Sequence, residues 1–284
     1  MKKVLLTRLF LCSLAYHLGV EANAEVVTAT DFEAPEHPAG PLTMSSRPLQ
    51  GNNYGGRLGF TIATSDRIQP FGADNQFVIL NGSKTARNGN DVGKGESFLG
   101  WFKEISLLST YSFDLYEPSG QDGVVRFGLG DLDLNEQRGY VSWGLGNGVI
   151  KTGLNTEQVS GPPPRLEEDR PYKIYVFYNG SGAAQAIEGL EVPSLAPGQC
   201  ALYIQDKLTG ELYDGGRYRH TGSLAAPSTF VFRAFSGDKG QAYVDNLSFG
   251  DQLQVDIPEP AVMALFFGIA CLGFALYRKA KNRA

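Results

Sequence analysis

Between about residue 25 and residue 257 the apolar positions of this chain never hold a helical period. They come in short runs rich in Val, Ile, Phe and Tyr, set between clusters of Gly, Asn, Asp and Pro. Runs of that length with that punctuation read as strands. The pattern predicts strands at 57–63, 76–80, 104–108, 112–116, 124–129, 140–145, 172–178, 201–205, 229–235 and 242–249. Ten strands in about 230 residues exceed a small immunoglobulin-type domain and fit a large two-sheet sandwich, so the expected fold class is all-β. Along 172–178, Tyr172, Ile174, Val176 and Tyr178 point one way and Lys173, Tyr175 and Phe177 the other. Both sets are apolar enough for a strand buried on its two faces.

The turns between these runs are legible too. Residues 131–139 should close a hairpin between 124–130 and 140–146, and Leu208-Thr209-Gly210-Glu211 should close another. Gly161-Pro162-Pro163-Pro164 and the polar stretch to Arg170 can hold neither a strand nor a long helix. That stretch is expected to cross the surface between strands and not to divide two domains, since the strand after it would otherwise lack partners.

The two ends break the pattern. Lys2, Lys3 and Arg8 precede an apolar run from Leu9 to Val20 that ends in Ala22-Asn23-Ala24, the layout of a secretory signal peptide cut after Ala24. At the other end, residues 261–277 carry no charge and are followed by Arg278, Lys279, Lys281 and Arg283. Seventeen residues at about 1.5 Å each give a helix of roughly 25 Å, close to what a bilayer needs. The four cations should hold the tail on the cytoplasmic side. The expected organisation is a signal peptide (1–24), a β-sandwich ectodomain (25–249), a linker (250–257) and a terminal segment (258–284) with a transmembrane helix.

Pro258-Glu259-Pro260, the apolar helix directly after it and the short basic tail together resemble the PEP-CTERM sorting signal of Gram-negative bacteria. The resemblance covers residues 257–284. It implies export through the inner membrane, with signal peptidase and an exosortase-type sorting enzyme as partners. It further implies transient anchoring by the C-terminal helix, then residence at the cell surface or in the extracellular matrix. It implies nothing about what the exported domain binds.

Charge narrows the partners. Removing the seven cations and two acids of the end segments leaves 18 Lys and Arg against 28 Asp and Glu over residues 25–257, a net charge near −10. Such a surface suits solubility and cation binding and disfavours nucleic acid. Of the three cysteines, Cys12 belongs to the signal and Cys271 to the apolar helix. Cys200 remains, so no disulfide is expected in the domain, and Cys200 reads as a buried apolar filler.

The order of β segments resembles the laminin-G and concanavalin-like jelly rolls. The motifs are Thr30-Asp31-Phe32-Glu33 near the start, residues 172–180 in the middle and Ala242-Tyr243-Val244-Asp245-Asn246-Leu247-Ser248-Phe249 as the closing strand. The resemblance implies that the first and last strands pair, bringing Asp31, Glu33 and Asp245 near one another. In carbohydrate-binding members such acidic positions can hold a structural calcium, and hard oxygen ligands suit that ion. The alternative is that Asp245 and Asn246 make backbone and turn hydrogen bonds.

Candidate chemistry is sparse. Asp131-x-Asp133-x-x-Glu136 resembles the acidic motif of laminarinase-type glycoside hydrolases, with Asp131 where that motif has Glu and a hairpin loop where it has a strand. A retaining mechanism needs carboxyl groups roughly 5 to 5.5 Å apart, and a solvated turn is the simpler reading. A calcium loop through Asp131, Asp133 and Asn135 lacks the expected glycine, having Glu136 in its place. His37 and His220 lie in no metal or triad pattern. Trp101, Trp143, Tyr175, Tyr203, Tyr213 and Tyr218 could stack on sugar faces or fill the core. The expectation is a noncatalytic surface or matrix protein binding glycan or exopolysaccharide. The alternatives are a glycoside hydrolase or lyase on the same fold and a purely structural matrix component.

Overall fold

The computed structural model describes residues 26–30, 40–41, 60–64, 69–72, 75–81, 96–101, 106–120, 125–130, 140–153, 156–161, 165–221, 227, 229–234, 241–253 and 255. All its regular elements among these are strands: β1 (Val26–Thr30), β2 (Gly40–Pro41), β3 (Phe60–Thr64), β4 (Gln76–Asn81), β5 (Glu96–Trp101), β6 (Leu108–Tyr116), β7 (Val125–Gly130), β8 (Tyr140–Gly146), β9 (Val149–Thr152), β10 (Thr156–Ser160), β11 (Pro171–Asn179), β12 (Gln199–Asp206), β13 (Leu212–His220), β14 (Thr229–Ala234) and β15 (Gln241–Gly250). They form two antiparallel sheets. The ten-stranded sheet runs β10-β13-β12-β11-β6-β15-β4-β3-β2, with β1 also on β15, and the five-stranded sheet runs β5-β14-β7-β8-β9. The expected pairing of first and last strands is present, with Thr30 opposite Leu247 and Ala29 opposite Ser248.

Alternation along the strands builds the core. Tyr111, Phe113 and Leu115 of β6 and Tyr172, Ile174, Val176 and Tyr178 of β11 face the smaller sheet and meet Phe127, Trp143, Phe230 and Phe232 there. Phe113 stands edge-on to Phe232 at 4.9 Å, and Trp143 edge-on to Tyr218 at 5.3 Å, the arrangements aromatic quadrupoles favour. Cys200 is buried in this layer as a free thiol, and burial pushes its pKa well up.

The sequence pattern predicts separate strands at 104–108 and 112–116. β6 takes in both Leu108 and 112–116, because the polar Ser109, Thr110 and Ser112 sit between apolar neighbours without breaking the ladder to β11, while residues 104 and 105 lie outside the described residues. β8 and β9 join through Asn147 and Gly148, both at positive φ (52° and 69°), the two-residue loop whose twist matches a hairpin. β13 has little apolar sequence because glycines occupy its packed positions: a Cβ at Gly215 would meet the Leu202 carbonyl oxygen at 2.8 Å.

The outer face of the larger sheet is also covered in part. Asn179, fully buried, gives its amide hydrogens to the carbonyls of Ala183 and Leu195 and accepts from the Ser181 N–H and hydroxyl. This pins residues 180–198 across the sheet. Ile187 and Leu195 then lie on Tyr175, Phe177, Ala201 and Tyr203. Leu253 and Val255, in the stretch expected as a linker, are buried in the same layer. There the Glu188 N–H donates to the Leu253 carbonyl and the Val255 N–H to the Glu188 carbonyl.

Candidate functional site

The rest of that face carries a polar cluster beside an aromatic one, and a bulge marks the polar cluster. Asp245 lies opposite Asp114 of β6, whereas the next paired positions are Ser248 and Ser112, so β15 spends one residue more than β6 between them. Asn246 absorbs the extra residue at a φ of 48°, a left-handed conformation that Asn tolerates better than most side chains. The consequence is a change of face. Tyr243 and Asp245 point outward before the bulge, while Leu247 and Phe249 point into the core after it.

Asp114 and Asp245 are therefore neighbours on adjacent central strands, 2% and 0% exposed. Two buried carboxylates side by side are costly unless charge and hydrogen bonds compensate them. The Asn246 amide donates to Asp114 Oδ2 at 2.7 Å and to Asp245 Oδ2 at 3.1 Å, and the Asn75 amide donates to Asp245 Oδ2 at 2.9 Å. Lys207, from the β12–β13 turn, reaches across β11 to ion-pair with Asp114 Oδ2. Its ammonium also lies 5.7 Å from the centre of the Phe71 ring. An aromatic cluster flanks the acids on the same face: Tyr243 stacks on Tyr116 at 5.6 Å and lies 4.9 Å from Phe77, with Phe71 edge-on to Phe77. Burial and the nearby Asp169 carboxylate push the Tyr116 phenol up to about 12, so it stays a hydrogen-bond donor, to Asp169 Oδ1.

This constellation was only half visible in the sequence. Asp245 is legible there as a candidate, and its partners are Asp114, Asn75, Asn246 and Lys207; Asp31 and Glu33 lie outside the described residues. Asp114 sits in an alternating strand pattern where a polar residue looks merely solvent-facing. Among the described residues no three of His, Cys, Asp and Glu come together as a metal-holding group, the cluster having two carboxylates and two carboxamides instead.

The other candidates fall as follows. Trp143, Tyr175, Tyr203 and Tyr218 are at most 2% exposed and fill the layers between or over the sheets, which leaves none of their faces to a sugar. Tyr213 is half-buried with its hydroxyl on Glu211 at 2.9 Å. His220 is half-buried at the end of β13. Trp101 lies in β5, and its side chain is outside the described residues, as are His37, Asp131, Asp133, Asn135 and Glu136. The sorting residues Pro258, Glu259 and Pro260, the apolar run 261–277 and Arg278, Lys279, Lys281 and Arg283 are likewise outside them. No described helix is long and apolar enough to cross a membrane.

No protein-family model matches the chain, and no curated protein does. Among solved structures it is similar to lectin II from Ulex europaeus, with a TM-score of 0.45 and 6% identity over 80% of this chain and 99% of that one. It is also similar to the alginate lyase vAL-1 from Chlorella virus, with a TM-score of 0.41 and 14% identity over 80% and 99%. A third is the exoplasmic/lumenal domain of VIP36 in its Ca2+/Man3GlcNAc-bound form, with a TM-score of 0.39 and 11% identity over 78% and 93%. Among the described residues the regular structure is all β, one large and one small antiparallel sheet packed face to face.

Proposed function

We propose that this chain is an exported, noncatalytic protein of a Gram-negative cell surface or extracellular matrix, whose jelly-roll sandwich binds polysaccharide. The signal peptide and the Pro258-Glu259-Pro260 tail support the destination. One observation carries the noncatalytic reading: the acids paired on the sheet face, Asp114 and Asp245, are buried and held by Asn75, Asn246 and Lys207. Carboxyl groups that cleave a glycosidic bond must flank the substrate with solvent access. These two brace the sheet instead.

In this reading signal peptidase removes residues 1–24, the apolar helix holds the chain in the inner membrane, and an exosortase-type enzyme processes the tail. Replacing Arg278, Lys279, Lys281 and Arg283 by neutral residues should impair membrane retention or orientation. Full-length protein found free in the cytoplasm with Met1 attached would overturn the destination.

The ligand class is tested by passing the full chain, in mild detergent, over bacterial and algal polysaccharides while assaying reducing sugar and unsaturated ends. Retention without release is the expected result. Release abolished by Asp133→Asn or Glu136→Gln would replace this reading with a hydrolase or lyase. Neither retention nor release across the panel would leave a structural matrix component.

A further inference from the structure

We infer that the segment from Asp251 to Val255 is a clasp that the folded domain closes on its own tail, so that Pro258-Glu259-Pro260 comes within reach of a membrane-embedded processing enzyme only when the clasp opens. The inference rests on the sorting-signal reading of the tail and adds a control to it, exerted by the folded domain.

Three observations carry it. The first is burial where a linker is expected. In Asp251-Gln252-Leu253-Gln254-Val255-Asp256-Ile257 every second residue from Leu253 is apolar, the period of a strand with one buried side. Leu253 and Val255 are 3% and 6% exposed and lie in the layer that covers Tyr175 and Phe177. Two side chains taken out of water hold the segment against the domain.

The second is a set of hydrogen bonds from two sides. The Ser106 hydroxyl donates to the Asp251 carbonyl at 3.5 Å, and the Thr110 hydroxyl donates to the Gln252 carbonyl. From the other side the Glu188 N–H donates to the Leu253 carbonyl at 2.7 Å, and the Val255 N–H to the Glu188 carbonyl at 3.2 Å. Glu188 belongs to the 180–198 cover that Asn179 pins, so the cover and the tail hold each other.

The third is reach. Pro258 follows Val255 by three residues, a span of at most roughly 10 Å. A single α-helix is about 10–12 Å across with its side chains, so the wall of an enzyme cleft does not fit between the docked segment and the motif. The apolar run begins at residue 261, so the membrane side supplies no slack. Freed back to Gly250, the end of β15, the leash is eight residues, roughly 27 Å, and the cleft then fits. Opening of this kind is local, because β15 and the sheets keep their places.

The test uses the full chain in two settings. In detergent, hydrogen exchange at Glu188 and Val255 should be slow in the wild type. Both sites should speed up together by about tenfold or more in the double variant Leu253→Ser/Val255→Ser. In a Gram-negative host that carries an exosortase, pulse-chase should show full-length protein losing its tail about tenfold faster in the double variant and more modestly faster in Asn179→Ala and Thr110→Val. Leu208→Ser, at an exposed leucine of the β12–β13 turn, should match the wild type. Asn179 and Thr110 lie outside the tail, so a faster rate in those variants reports opening and not altered recognition of the residues beside the motif.

Equal processing rates in the wild type and the double variant, with exchange showing the segment released, would overturn the clasp and leave the sorting reading standing. No processed form of any of these proteins would remove the sorting reading and the clasp with it. Fast exchange at Glu188 and Val255 in the wild type would overturn the clasp without reference to the enzyme. If the double variant does not fold, Thr110→Val and Asn179→Ala decide: exchange and processing unchanged in both refutes the inference.

Discussion

The two halves of the outer face of the larger sheet are covered by opposite chemistries. Over β11 and β12 the cover is apolar: Ile187, Leu195, Leu253 and Val255 lie on Tyr175, Phe177 and Tyr203. Over β6 and β15, beside the stacked Tyr116 and Tyr243, it is polar: Asn75 and Lys207 close on Asp114 and Asp245. Both covers arrive on segments outside the sheet, and both leave the sheet residues almost wholly buried. The apolar half gains from every atom removed from water. The polar half must first replace the hydration of two carboxylates, so it tolerates no missing partner and confers position more than stability.

The largest expected effect lies in the apolar half. Phe177→Ala should cost about 3–5 kcal/mol by denaturant unfolding, from lost burial and the cavity left under residues 187 and 195. A loss well under that would mean the 180–198 segment collapses onto the sheet freely. Next comes Lys207→Met in the polar half, at about 2–3 kcal/mol, since the carboxylate it served stays buried. The sharper measurement is the double variant with Asp114→Asn. If the halves differ as argued, the second substitution recovers part of the first loss, whereas no coupling would place Lys207 outside the cluster's balance.

Asn179→Ala should cost about 2 kcal/mol, because it removes one donor from each of the Ala183 and Leu195 carbonyls, which keep the Ser181 hydroxyl and the Gln185 N–H, and takes the acceptor from the Ser181 N–H and hydroxyl. Hydrogen exchange should rise across 180–198 and not at β6. Accelerated exchange in both halves would show one cooperative cover instead of two.

The smallest effect concerns pH. Burial raises the Glu117 carboxyl, only partly offset by the Gly148 N–H. A raised carboxylate pKa means the fold prefers the proton, so this contribution is present below the unfolded pKa and is lost as pH rises through the folded one. Asp206 has the opposite sign. Burial pulls it up, but the N–H groups of Leu208 and Thr209 and the Arg170 guanidinium hold it below the usual carboxylate range. Its contribution is present above the unfolded pKa and lost as pH falls through the folded one. Glu117→Gln should flatten the decline that follows as pH rises out of the ordinary carboxylate range, by less than about 1 kcal/mol, and leave the loss at lower pH unchanged. A change on the acid side would reverse the assignment.

The sequence by itself determined the strand chemistry. Alternation in 172–178 divided Tyr172, Ile174, Val176 and Tyr178 from Tyr175 and Phe177, and the structure buries the first set between the sheets and the second under the 180–198 cover. Periodicity of that kind is local, because each residue's direction follows from its neighbour's. β9 was legible in principle through Asn147-Gly148, the loop that carries its own backbone requirement. β13 was not, since its glycines are selected by the approach of Leu202 and Ser160 from other strands. Of the candidate site the sequence marks Asp245 and Asn246, and tertiary structure decided the rest. Asn75, Asp114, Lys207 and Asp245 span 170 residues, and the register shift at Asn246 that sets the two acids face to face exists only once β15 has paired with β6.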